Sequence, residues 1–266
     1  MQCTPRCAST QFTKAGPDRH CRELCRCTRC GRRMSARSGS AFFCGYYRFP
    51  DEVIAIAVRW YLRYRLSYAD VSEWLAERGV QVDPSTIYDW LRAFTPRFIR
   101  AARVQRTPVG GHWLVDETYL KIAGRWRYLF RAIDEQGQIV DVYLSERRNA
   151  AAARAFFEEA IHSSEVVPTQ VTTDKAKCYP GPLGTMLPLV QYRSSKYLNN
   201  SLERDHQHLK GRLRSMRCFK SFVSASNFCK GHALVRNLTC GHSLLARKVT
   251  PRLRLSTAWN VLAATL

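Results

Sequence analysis

Apolar residues recur along this chain with helical spacing first and with strand-like runs later. Beyond Pro50, the residues Val53, Ile54, Ala57, Trp60, Tyr61 and Tyr64 fall three and four apart, which predicts an amphipathic helix. Ser67 offers an N-cap for a second helix that runs through Val71, Trp74 and Leu75 and stops at Gly79. A short extended link, 80–83, leads to a third helix from Thr86 to about Phe94, with Pro84 in its first turn and Asp83 or Ser85 as cap. From His112 the pattern turns to apolar and β-branched runs. Residues 112–119, 125–134 and 138–145 read as strands, the last two joined by Glu135-Gln136-Gly137, which has hairpin chemistry. The Ala-rich stretch 150–161, with Phe156 and Phe157, predicts a helix. Residues 171–173 and 190–193 read as short strands, and 202–214 as a helix capped by Asn199 or Asn200.

Composition narrows the class of partner. The 266 residues carry 42 Lys+Arg against 21 Asp+Glu, a net charge of +21, and are 45% hydrophobic and 11% aromatic. Such a chain can build a core and is not a disordered one. Charged residues interrupt every apolar stretch well before the ~18 residues of a membrane span, so no membrane partner is expected. The first residues lack the apolar core of a secretion signal. The cationic excess points to a polyanion, most commonly nucleic acid, against the plainer reading of a merely soluble basic protein. It is concentrated at the flanks: net +8 over residues 1–50 and +10 over 199–254. Two basic flanks around a more neutral centre suggest DNA-contacting ends around a functional core.

Seven cysteines lie in the first 44 residues. Without a secretion signal, that density favours metal over disulfides. Cys3-x3-Cys7 and Cys27-x2-Cys30-Gly31, separated by a hairpin-length insert with Gly16-Pro17 as a turn, describe a zinc ribbon with one structural Zn²⁺. Cys21 and Cys25 compete as ligands, and thiols in a basic arm are the bland alternative. The second and third helices fit a helix-turn-helix, with Ser85, Thr86, Tyr88, Asp89 and Arg92 toward a DNA groove. Asp83 and Asp89 are poor neighbours for phosphate, which keeps a purely structural three-helix bundle open.

The order from His112 is three antiparallel strands, helix, strand, irregular segment, strand, helix. This is a ribonuclease H-like order, an α/β (α+β) fold with a mixed five-stranded sheet and helices. It places Asp116 on the first strand, Asp174 at the end of the adjacent fourth, and Glu203 on a neighbouring helix. Three converging carboxylates suit two Mg²⁺ (or Mn²⁺) ions, the arrangement for in-line phosphodiester chemistry. Glu117 is expected to point away from Asp116 on the strand, and Asp134 to sit at a turn. His206 and His208 are expected on different helix faces, in phosphate or structural contacts. Cys178, Cys218, Cys229 and Cys240 read as reduced core or surface thiols.

Residues 115–134 (VDETYLKIAGRWRYLFRAID), 172–176 (TTDKA) and 196–210 (KYLNNSLERDHQHLK) resemble bacterial DDE transposases, closest to the insertion-sequence-six family. Residues 49–90, notably 57–71 (AVRWYLRYRLSYADV), resemble that family's helical region, residues 219–238 its following helix, and the Cys-rich start the zinc ribbon of some members. The resemblance implies that Asp116, Asp174 and Glu203 are the catalytic triad and that Lys210, two turns past Glu203, contacts DNA phosphate. Arg212 and Arg214 join Lys210 in a basic flank expected to hold DNA. It further implies recognition of terminal inverted repeats, strand transfer by a 3′-hydroxyl, a homodimer or higher oligomer, and a bacterial cytoplasmic, nucleoid-associated location. A catalytically inactive or domesticated relative that only binds DNA is the alternative. Only 28 residues separate Asp174 from Glu203, fewer than is usual in the family, with the shortening placed in the Pro/Gly-rich loop 179–192. The expected organisation is a Cys-rich ribbon (1–48), a helix-turn-helix-like domain (49–104), the catalytic domain (105–240) and a basic tail (241–266).

Overall fold

The computed structural model describes residues 11–17, 23–31, 33–35, 49–195, 200–214, 216 and 218–266. The chain divides into two compact units, residues 1–51 with 264–266, and residues 52–263. In the first, β1 (Phe12–Pro17), β2 (Glu23–Cys27) and β3 (Arg33–Ser35) form an antiparallel sheet in the order β1-β2-β3. A turn closes β2, where Gly31 N–H donates to the Cys27 carbonyl at 2.9 Å. Gly31 has φ +71°, a left-handed conformation that glycine adopts without a Cβ penalty.

The second unit begins with the three helices read from the sequence. They are α1 (Asp51–Arg63), α2 (Tyr68–Ala76) and α3 (Pro84–Val104). Ser67 caps α2 in a reciprocal box with Asp70, and the Asp83 carboxylate accepts from Ser85 N–H at 2.7 Å at the start of α3. Helix α3 runs ten residues beyond its expected end, straight through Pro96. A proline inside a helix costs about 3 kcal/mol. Continuing the helix buries Phe98 completely and Ala102 nearly so, and one fully buried phenylalanine alone recovers about 1.5–3 kcal/mol. The residues beyond Pro96 therefore outweigh the breaker.

A five-stranded sheet follows. Strands β4 (His112–Ile122), β5 (Arg125–Asp134) and β6 (Ile139–Ser145) pair antiparallel, and β7 (Gln170–Thr173) and β8 (Gln191–Ser194) add in parallel, giving the order β6-β5-β4-β7-β8. Helix α4 (Ala150–Ser164) is capped by Asn149, whose side chain accepts from Ala152 N–H at 2.9 Å. It places Phe156 and Phe157 on the sheet face that carries Trp113, Val115 and Phe130. Asp134 is the anchor of the β5–β6 turn, accepting from the N–H groups of Gly110, Gln136 and Gln138 at 3.1, 3.0 and 2.8 Å.

Two segments differ from what the sequence predicts. The 179–192 connection is not all loop, because Pro180 opens a short helix, α5 (Pro180–Met186), for which its fixed φ is suited. Residues 241–266 are not a basic tail. After α6 (Asn200–Leu213) and α7 (Phe222–Cys240), they form a 3₁₀ turn and α8 (Arg254–Thr265). Trp259 of α8 is fully buried, stacks on Phe98 at 4.2 Å and donates its indole N–H to the Ala55 carbonyl at 2.9 Å. Among the described residues, no helix is long and apolar enough to cross a membrane.

Helix α7 approaches α1 and α3 at Gly231. A Cβ there would lie 2.7 Å from Thr95 Cγ2 and 2.8 Å from Leu62 Cδ2, closer than packed carbon atoms allow. Gly231→Ala is therefore expected to destabilise the protein by about 1–3 kcal/mol through overpacking, despite alanine's better helix propensity. Chemical denaturation would show a lowered midpoint; an unchanged or raised midpoint would mean the helices separate freely.

Candidate active site

Asp116 and Asp174 are brought together by strand register. Parallel pairing of β4 with β7 matches Val115 to Thr173, so the next residue on each chain is an aspartate at the same level of the sheet. Asp116 Oδ1 accepts from Glu117 N–H at 2.9 Å, and Asp174 Oδ1 from Ala176 N–H at 3.0 Å. Both carboxylates are half-buried.

Glu117 does not stay out of this cluster as strand alternation suggested. Ligand oxygens of Asp116, Glu117 and Asp174 all lie within 4.8 Å of one another. Alternation separates the Cβ atoms of neighbours on a strand but does not fix where the carboxylate of a long glutamate ends. Two groups fix it there: the Tyr179 hydroxyl and the Arg148 guanidinium both contact its carboxylate. Arg148 also lies 3.5 Å from Asp174 Oδ2. The adjacent acids at 116 and 117 were the available sequence signal, and the alternation rule concealed it.

Helix α6 lies against β4 on the other side of the strand. His206 of α6 is buried, with Nδ1 3.8 Å from Asp116 Oδ2. Burial and the nearby Arg131 push its imidazole down to about 3, so it is neutral. His208 is exposed, on a different face as the spacing implied. Glu203, one turn before His206, is exposed, and its charge acts on Asp116. Burial, then Glu117, with added contributions from Asp174 and Glu203, pushes the Asp116 carboxyl up to about 7. A half-buried cluster of oxygen donors with excess negative charge fits a hard divalent cation such as Mg²⁺.

The basic residues of α6 divide. Lys210 and Arg214 are exposed, as a DNA-facing flank requires. Arg212 is not part of that flank. It is buried, donates to the carbonyls of Tyr61 at 2.7 Å and Leu66 at 3.1 Å, and lies over the Tyr61 and Phe228 rings at 5.1 and 5.3 Å. Its guanidinium ties α6 to the helical region instead of meeting phosphate. An open basin beside Asp174 is lined by Arg148, Lys175 and Lys177.

A family model described as a DDE domain, of the IS240 transposase type, matches residues 110–242. The transposase for insertion sequence-like element IS431mec of Staphylococcus aureus is 38% identical over 191 residues, covering 70% of this chain and 84% of the relative. The transposase for insertion sequence element IS257 in transposon Tn4003, also of Staphylococcus aureus, matches with the same identity and coverage. The chain belongs to the DDE transposases of the insertion-sequence-six family. Among solved structures, the catalytic core domain of BIV integrase aligns over 49% of this chain and 84% of its own, with 20% identity and a TM-score of 0.37. As a DDE transposase of an insertion sequence, the protein is an enzyme of DNA-mediated transposition, and the carboxylate cluster on β4 and β7 sits within the matched domain.

The remaining expected sites are placed as follows. Ser85 and Arg92 on α3 are exposed, and Thr86 is half-buried. Tyr88 is half-buried against Tyr68 at 5.8 Å, with its hydroxyl 3.2 Å from Ser224 Oγ. Cys27 is buried at the end of β2 and Cys30 is exposed in the following turn. Cys3, Cys7 and Cys21 lie outside the described residues. Of the later thiols, Cys178 and Cys229 are buried, and Cys218 and Cys240 exposed.

Proposed function

We propose that Asp116, Asp174 and Glu203 hold two Mg²⁺ (or Mn²⁺) ions and catalyse cleavage and strand transfer at the ends of an insertion sequence. The observation that carries this reading is the register-matched pair Asp116 and Asp174, with the Glu203 charge acting on Asp116 from α6. Bound there, divalent ions supply activation of an attacking 3′-hydroxyl and neutralisation of the leaving oxygen. The protein's own residues do the rest. Backbone N–H groups of Glu117 and Ala176 orient the two aspartates. Glu117, held by Tyr179 and Arg148, sets the depth of the cluster. Arg148, Lys175 and Lys177 present cations to the phosphates flanking the scissile one, and Lys210 and Arg214 extend that track along α6.

In this reading α2 and α3 work as a helix-turn-helix, with Ser85, Thr86 and Arg92 toward DNA and Tyr88 mainly a brace. Residues 1–48 form a ribbon whose Cys27–Cys30 turn supplies one half of a structural Zn²⁺ site. The turn after β2, with left-handed Gly31, supports that half. Residues 49–104 and 105–240 keep their separate roles, terminal-repeat binding and catalysis. The enzyme works as a homodimer or larger assembly that pairs two ends, in the bacterial cytoplasm at the nucleoid.

The test is joining of a labelled element end to a target plasmid by purified protein. Mg²⁺-dependent joined product is expected, and none in EDTA. Tight binding of the ends without joining in Mg²⁺ or Mn²⁺ would favour a DNA-binding relative without catalysis.

A further inference from the structure

The β4–β5 hairpin runs on past the carboxylates and carries aromatic rings into solvent. Alternation puts Tyr119 and Lys121 on the same side of β4 as Glu117. Antiparallel register sets Tyr128 opposite Tyr119, and Trp126 opposite Lys121. Tyr119 meets Trp126 and Tyr128 edge to face at 6.5 and 5.8 Å. Cross-strand aromatic pairs of this kind stabilise a hairpin, yet they do not cover these rings. Trp126 is 62% exposed and Tyr119 52% exposed, and Lys121 Nζ stands 6.0 Å from the Trp126 ring centre.

The platform is anchored and charged. At its tip, Ala123 N–H donates to the Phe219 carbonyl at 2.8 Å, and Ile122 bridges to Phe219. Lys121 is exposed beside the rings, and the Arg148 guanidinium that holds Glu117 is close enough to feel Tyr119. Tyr119 is three residues along the strand from Asp116, about 10 Å at ~3.3 Å per residue, or about three base steps at ~3.4 Å each. A base paired within a duplex offers no ring face to such a platform. An unpaired base does, and stacking on aromatics beside cations is how single strands are held without sequence readout.

We propose that Tyr119 and Trp126 form a stacking platform for unpaired DNA bases next to the cleavage site, with Lys121 on the adjoining phosphate. This rests on the strand-transfer reading above, because it places the single strand a few nucleotides from the scissile bond. The platform then keeps an opened end from re-pairing while its phosphate lies at the carboxylates.

The test measures fluorescence anisotropy of labelled oligo(dT) and of a fully paired element end with the full-length protein. Trp126→Ala and Tyr119→Ala are expected to weaken oligo(dT) binding about tenfold or more, Trp126→Phe to stay within about threefold of wild type, and duplex affinity to change little. Lys121→Glu, an exposed change that spares the fold, is expected to weaken oligo(dT) binding as well, and it carries the test should Trp126→Ala fail to fold. Unchanged oligo(dT) binding in Lys121→Glu or in the ring variants overturns the platform, as does equal loss on duplex and single strand. A wild-type protein that binds neither DNA would instead overturn the strand-transfer reading itself.

Discussion

Asp116→Asn and Asp174→Asn are each expected to lower strand transfer by about a thousand-fold or more, with end binding within a few-fold of wild type. Each change keeps the side chain's size and removes one anionic oxygen donor from the cluster that spans β4 and β7. The expected split between joining and binding follows from position. On the proposed reading, DNA affinity is carried by exposed cations such as Lys210 and Arg214, outside the carboxylate cluster, so these substitutions leave it largely intact. Glu203→Gln is expected to behave the same way. Glu117→Gln separates the roles of the two glutamates. Glu117 is held by Tyr179 and Arg148, so its amide should cost less than that of Glu203 if Glu117 positions the cluster. Parallel joining and mobility-shift assays on the four variants decide this, and near-wild-type joining by Glu203→Gln would transfer the third position to Glu117.

Asp205→Ala is expected to destabilise the fold by about 3–5 kcal/mol. Asp205 pairs with Arg131, which is completely buried in β5, and its other oxygen accepts from Arg236 Nε at 3.2 Å. Burial alone would raise the Asp205 carboxyl, but Arg131 and Arg236 overcome it and hold the group below its usual range. Removing the acid strands a guanidinium where water does not reach, while the reverse change, Arg131→Met, leaves the carboxylate with Arg236 alone. The double variant Arg131→Met/Asp205→Leu removes both charges and is expected to lose much less than the sum of the single changes. Denaturant midpoints for the three proteins measure this. Additive losses would mean that the pair is not coupled and that α6 is held to the sheet by other contacts.

Much of the site could be read from residue order, because strand–helix succession dictates which strand ends are neighbours. Asp116 and Asp174 follow from it directly, and Asp134 follows from the turn it caps. Glu117 was hidden because the period-two rule describes Cβ directions and says nothing of where a long side chain ends. Arg212 was misplaced for a related reason. Charge in a basic helix suggests phosphate, but burial decides, and its carbonyl partners on Tyr61 and Leu66 are 151 and 146 residues away in sequence. The ends of α3 and the existence of α8 were also hidden. Pro96 is a local stop signal that Phe98 and Ala102 override through tertiary packing. In α8 only Ala258, Trp259 and Leu262 are buried, although apolar residues run almost continuously from Ala258 to Ala264, so no single stripe in the sequence marks the buried face.

The central claim is that the carboxylates joined by β4–β7 register form a divalent-metal centre. Electron paramagnetic resonance of free Mn²⁺, titrated with full-length wild-type protein and with Asp116→Asn/Asp174→Asn, tests it most directly. Wild type should remove Mn²⁺ from the free pool in competition with Mg²⁺, and the double variant should leave that pool undiminished. Equal Mn²⁺ uptake by the two proteins, both folded, would contradict the account.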